Sequence, residues 1–183
     1  MGDVKIQNVV ATASLDQMLD LIAIMKVFVN VEYRPKRFPG LVFRLKRPRT
    51  ATLIFKTGKM VCTGARSVKQ ARSAVRKVVR ELKKGGIIIM RRPEIVIQNV
   101  VATSDMGGNL DLERAADIME NTMYEPEQFP GIIYRMAEPK VVMLLFASGK
   151  TVITGAKSRK EAQEADESTR AVLRDKELIY HAD

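Results

Sequence analysis

The heptapeptide Ile-Gln-Asn-Val-Val-Ala-Thr occurs twice, at Ile6–Thr12 and again 91 residues later at Ile97–Thr103. The same offset carries Phe38-Pro39-Gly40 onto Phe129-Pro130-Gly131 and Thr63-Gly64-Ala65 onto Thr154-Gly155-Ala156. Roughly a third of paired positions are identical without a gap, which makes the chain a tandem repeat, residues 1–92 and 93–183. Each repeat is near the lower size limit for an independent core. Arg91-Arg92-Pro93 between them is too short to be a flexible spacer. The repeat therefore predicts one body with an internal two-fold relation between its halves.

Composition narrows the function. Hydrophobic residues at 46% and charged residues at 28% describe a globular chain. Cys62 is the only cysteine and His181 the only histidine. That pair excludes an internal disulfide framework and a zinc site of the usual Cys/His kind. It also makes no convincing Cys-His or Ser-His-Asp catalyst. Thr57-Gly58-Lys59 and Ser148-Gly149-Lys150 lack the preceding glycine spacing of a phosphate-binding loop. The expectation is a non-enzyme without metal or cofactor, with no membrane span and no signal peptide. A net charge of +10 calls for a polyanionic partner, most often nucleic acid. The charge is uneven: residues 1–92 hold 21 basic and 5 acidic residues, residues 93–183 hold 10 and 16.

Hydrophobic patterning outlines one repeat. Val4–Thr12 is rich in β-branched residues and reads as a strand. Leu19–Phe28 is apolar and of helical length, so a buried helix is expected. Three strands follow, at Leu41–Leu45, Ala51–Lys56 and Met60–Gly64, the last two joined by a Lys56–Lys59 hairpin turn. A long helix then opens on a Ser67/Gln70 capping box and buries Ala71, Ala74, Val75, Val78 and Leu82. Gly85-Gly86 ends it. The second repeat shows the same order, with Ser158 and Glu161 as its box. Strands of this kind with two helices per repeat give an α+β fold.

Leu53 with Phe55, and Val61 with Thr63, form like-parity pairs on one face, and both faces of these strands are apolar. Two helices per repeat can cover only one face. The other is then an exposed apolar surface of the kind that marks a binding site, the alternatives being a sheet sandwiched by helices on both sides or a homodimer.

These motifs resemble the TATA-box-binding protein family of general transcription factors. The likeness spans nearly the whole chain: QNVVAT in each repeat, EYRPKRFPG (Glu32–Gly40), YEPEQFPGIIYRM (Tyr124–Met136), LIFKTGKMVCTGA (Leu53–Ala65) and LLFASGKTVITGA (Leu144–Ala156). The core-only length looks archaeal. The resemblance implies a pseudo-two-fold saddle: a curved, ten-stranded antiparallel sheet with four helices on the convex face. It implies that the concave face binds the minor groove of A·T-rich promoter DNA and kinks it, nucleating preinitiation-complex assembly. The kink is the family's own, which is the standard example of this binding mode.

The resemblance also assigns roles. Phe38, Phe55, Phe129 and Phe146 are implied wedges between base pairs; the residues alone would leave Phe55 and Phe146 equally at home in a core. Asn8, Asn99, Thr63 and Thr154 are implied polar base contacts, over an apolar floor of Val10, Val101, Leu53, Leu144, Val61 and Val152. Such a floor leaves the guanine amino group unpaired and so disfavours G·C pairs. Arg44, Arg135, Lys59, Lys150, Arg66 and Lys157 match phosphate contacts, which set affinity and position. Glu125, Glu127 and Gln128 lie on the second loop, the stirrup that meets transcription factor B, through which RNA polymerase is reached indirectly. The first stirrup carries Arg34, Lys36 and Arg37, where many archaeal members are acidic. The expected location is cytoplasmic and nucleoid-associated for an archaeal member, nuclear for a eukaryotic one. The basic face of the first long helix, with Lys69, Arg76 and Arg80, reads equally as a solvated surface or as a second anionic contact. The rival reading is a paralogue that uses the same saddle to bind protein or RNA without TATA preference.

Overall fold

The structure is a computed structural model and describes residues 2–181. Two compact units divide the chain. The first is Asn8–Gln98; the second joins the residues up to Gln7 to those from Asn99 onward. These units are not cut where the sequence repeats are. Strand β1 (Lys5–Ser14) gives its first three residues to the second unit, and β6 (Glu94–Asp105) gives its first five to the first.

After β1 the first unit runs α1 (Leu21–Val27), β2 (Val31–Tyr33), β3 (Leu41–Lys46), β4 (Arg49–Ile54), β5 (Lys59–Ala65) and α2 (Val68–Lys84). The second, after β6, runs β7 (Asn109–Leu110), α3 (Leu112–Ile118), β8 (Thr122–Met123), β9 (Ile132–Met136), β10 (Val141–Leu145), β11 (Lys150–Ala156), α4 (Arg159–Asp175) and β12 (Ile179–Tyr180). Ten antiparallel strands hydrogen-bond in the order β2-β3-β4-β5-β1-β6-β11-β10-β9-β8, and β7 pairs with β12. Ten strands are what the resemblance implies, but β2 and β8 are absent from the hydrophobic patterning. They are too short to show a period, and only pairing with β3 and β9 (Val31 opposite Phe43, Thr122 opposite Tyr134) defines them.

Strands β3, β4, β5, β10 and β11 alternate between a buried side and a half-buried or exposed one. In β5, Met60 and Cys62 are buried while Val61 and Thr63 are half-exposed. The buried side packs under α2, whose Ala71, Ala74, Val75, Val78 and Leu82 are inaccessible, as their spacing predicts. Burial pushes the Cys62 thiol above its ordinary value. The Ser67 hydroxyl caps α2 by accepting from Gln70 N–H at 3.0 Å, but the reciprocal Gln70 carbonyl reaches Arg66 N–H at 2.7 Å, one residue before the cap.

Helix α1 differs from expectation. It spans Leu21–Val27, shorter than Leu19–Phe28, because the Asp20 carboxylate caps it by accepting from Ala23 N–H at 3.1 Å. It is not a buried helix. Only Leu21 and Ile24 are buried, while Ile22, Met25 and Val27 are exposed.

The second unit has a charge inside it. Asp166 of α4 is fully buried, accepts a short hydrogen bond from the Ser104 hydroxyl and pairs with Arg170 Nε at 2.7 Å. Arg170 also donates to the Asp105 carbonyl. The matched residues of the first unit are Val75, Val79 and Ala13. One scaffold thus carries an ionic cluster in one unit and an apolar one in the other.

Candidate nucleic-acid interface

The half-buried residues of each unit form ordered rows across its strands. In the first unit Val42, Leu53, Val61 and Thr12 stand opposite one another on β3, β4, β5 and β1. In the second, Ile133, Leu144, Val152 and Thr103 repeat the row on β9, β10, β11 and β6. A second row sets Arg44 opposite Ala51, and Ala51 opposite Thr63; its counterpart is Arg135, Val142 and Thr154. Val10 and Val101 are half-buried on β1 and β6. The helices lie against the other side, so in each unit these rows are the uncovered face. Val42, Ile133, Ala51, Val142, Thr12 and Thr103 join the residues that the sequence singles out. Their parity on the strands is the signal that could have found them.

The asparagines are held in one orientation. The β1–β5 register slips between Val9 and Ala11, a bulge that places Gly64 at φ +99° and withdraws its N–H from the ladder. Asn8 Oδ1 accepts that N–H at 2.7 Å, and Asn8 Nδ2 donates to Thr63 Oγ1 at 3.1 Å. The β6–β11 pair repeats this: Gly155 lies at φ +96°, Asn99 Oδ1 accepts its N–H at 2.6 Å and Nδ2 donates to Thr154 at 3.1 Å. With its oxygen turned to a backbone N–H and one amide hydrogen given to a threonine, each asparagine keeps a second hydrogen to give. Gln7 and Gln98, unremarked in the sequence, donate to Thr103 and Thr12 at 3.0 and 2.9 Å and so reach the same face.

At one end of each open face two phenylalanines meet edge to face. Phe38 and Phe55 have ring centroids 5.8 Å apart, Phe129 and Phe146 5.6 Å, both at 68°. A turn closed by Phe38 N–H to Arg34 C=O, or Phe129 N–H to Glu125 C=O, aims the first ring of each pair. The glycine of each Phe-Pro-Gly motif makes room for the contact. A Cβ on Gly40 would lie 2.8 Å from the Phe38 ring and 3.0 Å from Phe55, and Gly131 is similar. Phe38 is exposed and the other three half-buried, so none is a core aromatic of the Phe43 kind.

The cations are placed less evenly. Arg44 shares Glu32 with Arg34, at 3.8 and 3.1 Å, whereas Arg135 makes no ion pair among the described residues. Lys59 stands opposite Ser14, and Lys150 opposite Asp105. Arg66 and Lys157 are exposed just after β5 and β11, their backbone N–H groups held by Gln70 and Glu161. Glu125, Glu127 and Gln128 are exposed on the turn before Phe129.

A family model described as transcription factor TFIID, or TATA-binding protein, matches residues 3–85 and 94–176. The chain belongs to the TATA-box-binding protein family. Its relatives include the TATA-box-binding protein of Pyrodictium occultum, 58% identical over 87% of this chain and 80% of the relative. That of Methanocaldococcus jannaschii is 49% identical over 89% of each. The solved structure of Methanococcus jannaschii TBP superposes with a TM-score of 0.86 at 46% identity, covering 95% of this chain and 99% of that one.

Within this family fold the bulge glycine is the clearest local test. Gly64→Ala forces a side chain into the left-handed region and puts its Cβ 3.2 Å from the Arg49 carbonyl. The expected cost is about 1–3 kcal/mol, read by denaturant unfolding. An unchanged midpoint would show that the bulge is not strained.

Proposed function

We propose that the two repeats, 1–92 and 93–183, act together as one promoter-binding domain of a general transcription factor. The uncovered faces take the minor groove of A·T-rich duplex, and each phenylalanine pair enters a base step. The observation that carries this reading is the pinned asparagine pair. An amide held with an N–H to spare matches the O2 and N3 acceptors that A·T and T·A pairs share, whereas a G·C pair places its protruding amino group where that N–H would sit. The apolar rows around it add to that penalty. Family membership and archaeal relatives support promoter binding and a place with the nucleoid in the cytoplasm.

Glu125, Glu127 and Gln128 are exposed together on the second turn and suit a docking site for transcription factor B, which would bring in RNA polymerase. No step in this function requires bond chemistry.

A gel-shift comparison of an A·T-rich duplex with a scrambled G·C-rich duplex tests the reading. Tight binding to the first alone is expected. Equal affinity at physiological salt would favour the protein- or RNA-binding paralogue. Lys59→Ala with Lys150→Ala should weaken both duplexes alike and lower the salt slope by about 0.9 for each phosphate no longer neutralised. An unchanged slope would show that these lysines do not meet phosphate.

A further inference from the structure

The two units differ most on the outer side of their first helices. Met18, Ile22, Met25 and Val29 follow i, i+4, i+7, i+11 spacing along α1 and its flanks, and all are exposed, at 66, 53, 40 and 101%. The matched residues on α3 and its flanks are Asn109, Glu113, Ala116 and Glu120. The same scaffold therefore accepts a polar stripe, and the fold does not demand an apolar one.

The stripe has apolar neighbours. Gln17, next to Met18, holds the segment after α2 by donating to the Ile88 carbonyl at 2.9 Å and accepting from Met90 N–H at 2.8 Å. Ile88 and Met90 are each 76% exposed. Six of the twelve exposed large apolar side chains among the described residues thus lie on α1 and its flanks or on the segment that Gln17 holds beside them. Contiguous apolar exposure on that scale marks an interaction site, and methionine-rich surfaces adapt to a partner's shape. A groove of about 480 Å³ lined by Met18, Leu19, Asp20, Ile22, Tyr33 and Lys56 offers room for a large side chain.

The rim is basic. Lys26 is exposed in the last turn of α1, and Lys56 lines the groove. The C-terminus of α2, with Lys83 and Lys84, abuts the end of α1: a Cβ on Gly85 would lie 2.5 Å from Phe28 and 2.9 Å from Val27. Asp20, which lines the groove, accepts the Ala23 N–H as the α1 cap, and Glu81 pairs with Lys84 at 3.9 Å, which leaves Lys26, Lys56 and Lys83 without an ion pair among the described residues.

We infer that this surface docks an acidic, amphipathic segment of another protein, its apolar residues on the Met18–Val29 stripe and its carboxylates toward Lys26, Lys56 and Lys83. The stripe and the rim together select for both properties, as in helix-in-groove recognition. The inference does not depend on the DNA reading.

The probe is a fluorescein-labelled helical peptide with leucine at i, i+3, i+4 and i+7 and glutamate elsewhere, followed by anisotropy with the full chain. A lysine-for-glutamate peptide and a scrambled one are controls. The variant Met18→Asn, Ile22→Glu, Met25→Ala, Val29→Glu installs the residues that α3 and its flanks already carry; an unchanged unfolding midpoint checks that it folds. Binding of the acidic peptide is expected, at least tenfold weaker for the variant and for both control peptides. No binding, or equal binding by the variant or the scrambled peptide, would overturn the proposal. So would a concentration-dependent dimer in sedimentation that the variant dissolves, because a second copy would then be the occupant.

Discussion

Replacing Phe129 and Phe146 together by alanine is expected to remove the bend at one end of the bound duplex. Fluorescence transfer between labels at the two DNA ends should lose about half its change, since one of two wedged steps restacks. Affinity should fall by about 10- to 100-fold. Burying each ring against the bases is worth about 1.5–3 kcal/mol, and its removal is partly offset because one step no longer has to unstack. Phe38→Ala with Phe55→Ala should do the same at the other end, given the matched 5.8 and 5.6 Å ring contacts. The rings are exposed or half-buried, so the unfolding midpoint should move far less than for a core phenylalanine such as Phe43. Full transfer in either double variant would return that pair to a structural role.

Arg170→Ala is expected to be the most destabilising of the substitutions considered, by about 3–5 kcal/mol, because it leaves the Asp166 carboxylate buried with only the Ser104 hydroxyl beside it. For a chain of this length that is about 10 °C in unfolding temperature. The contrasting variant is Asp166→Val, Arg170→Val and Ser104→Ala together, which copies the first unit. It should lie within about 1–2 kcal/mol of the parent, or above it, since apolar packing often replaces a buried ion pair without loss. Denaturant unfolding separates the two outcomes. A triple variant as unstable as Arg170→Ala would show that the ionic cluster fixes the local packing and that Val75, Val79 and Ala13 do so by a different backbone fit.

Much of the interface is legible in the sequence because strands alternate with period two. The parity of Leu53, Phe55, Val61 and Thr63, repeated at the same offset, picks out one face. The Phe-Pro-Gly motifs and the asparagines stand out for the same reason: they recur. Gln7 and Gln98 recur too, yet their parity opposes that of Asn8 and Asn99, and parity alone gives them no place on the open side. Helix α1 departs from expectation because an apolar run of helical length reads as buried; nothing within Leu19–Phe28 says which residues a neighbour will cover.

What the sequence by itself determined is the repeat, the order of the long strands and helices, the buried stripe of α2 and the parity of the open face. Those follow from local periodicity and from an offset that needs no partner to be seen. Tertiary structure alone decided that β1 and β6 are shared between the compact units, that short β2 and β8 exist, and that a bulge at Gly64 and Gly155 pins each asparagine in one orientation. It also decided that the helix beside Met18 is left uncovered. These depend on hydrogen bonds and packing between residues far apart in the chain, whose energies are set by the neighbour and leave no periodic mark on the segment itself.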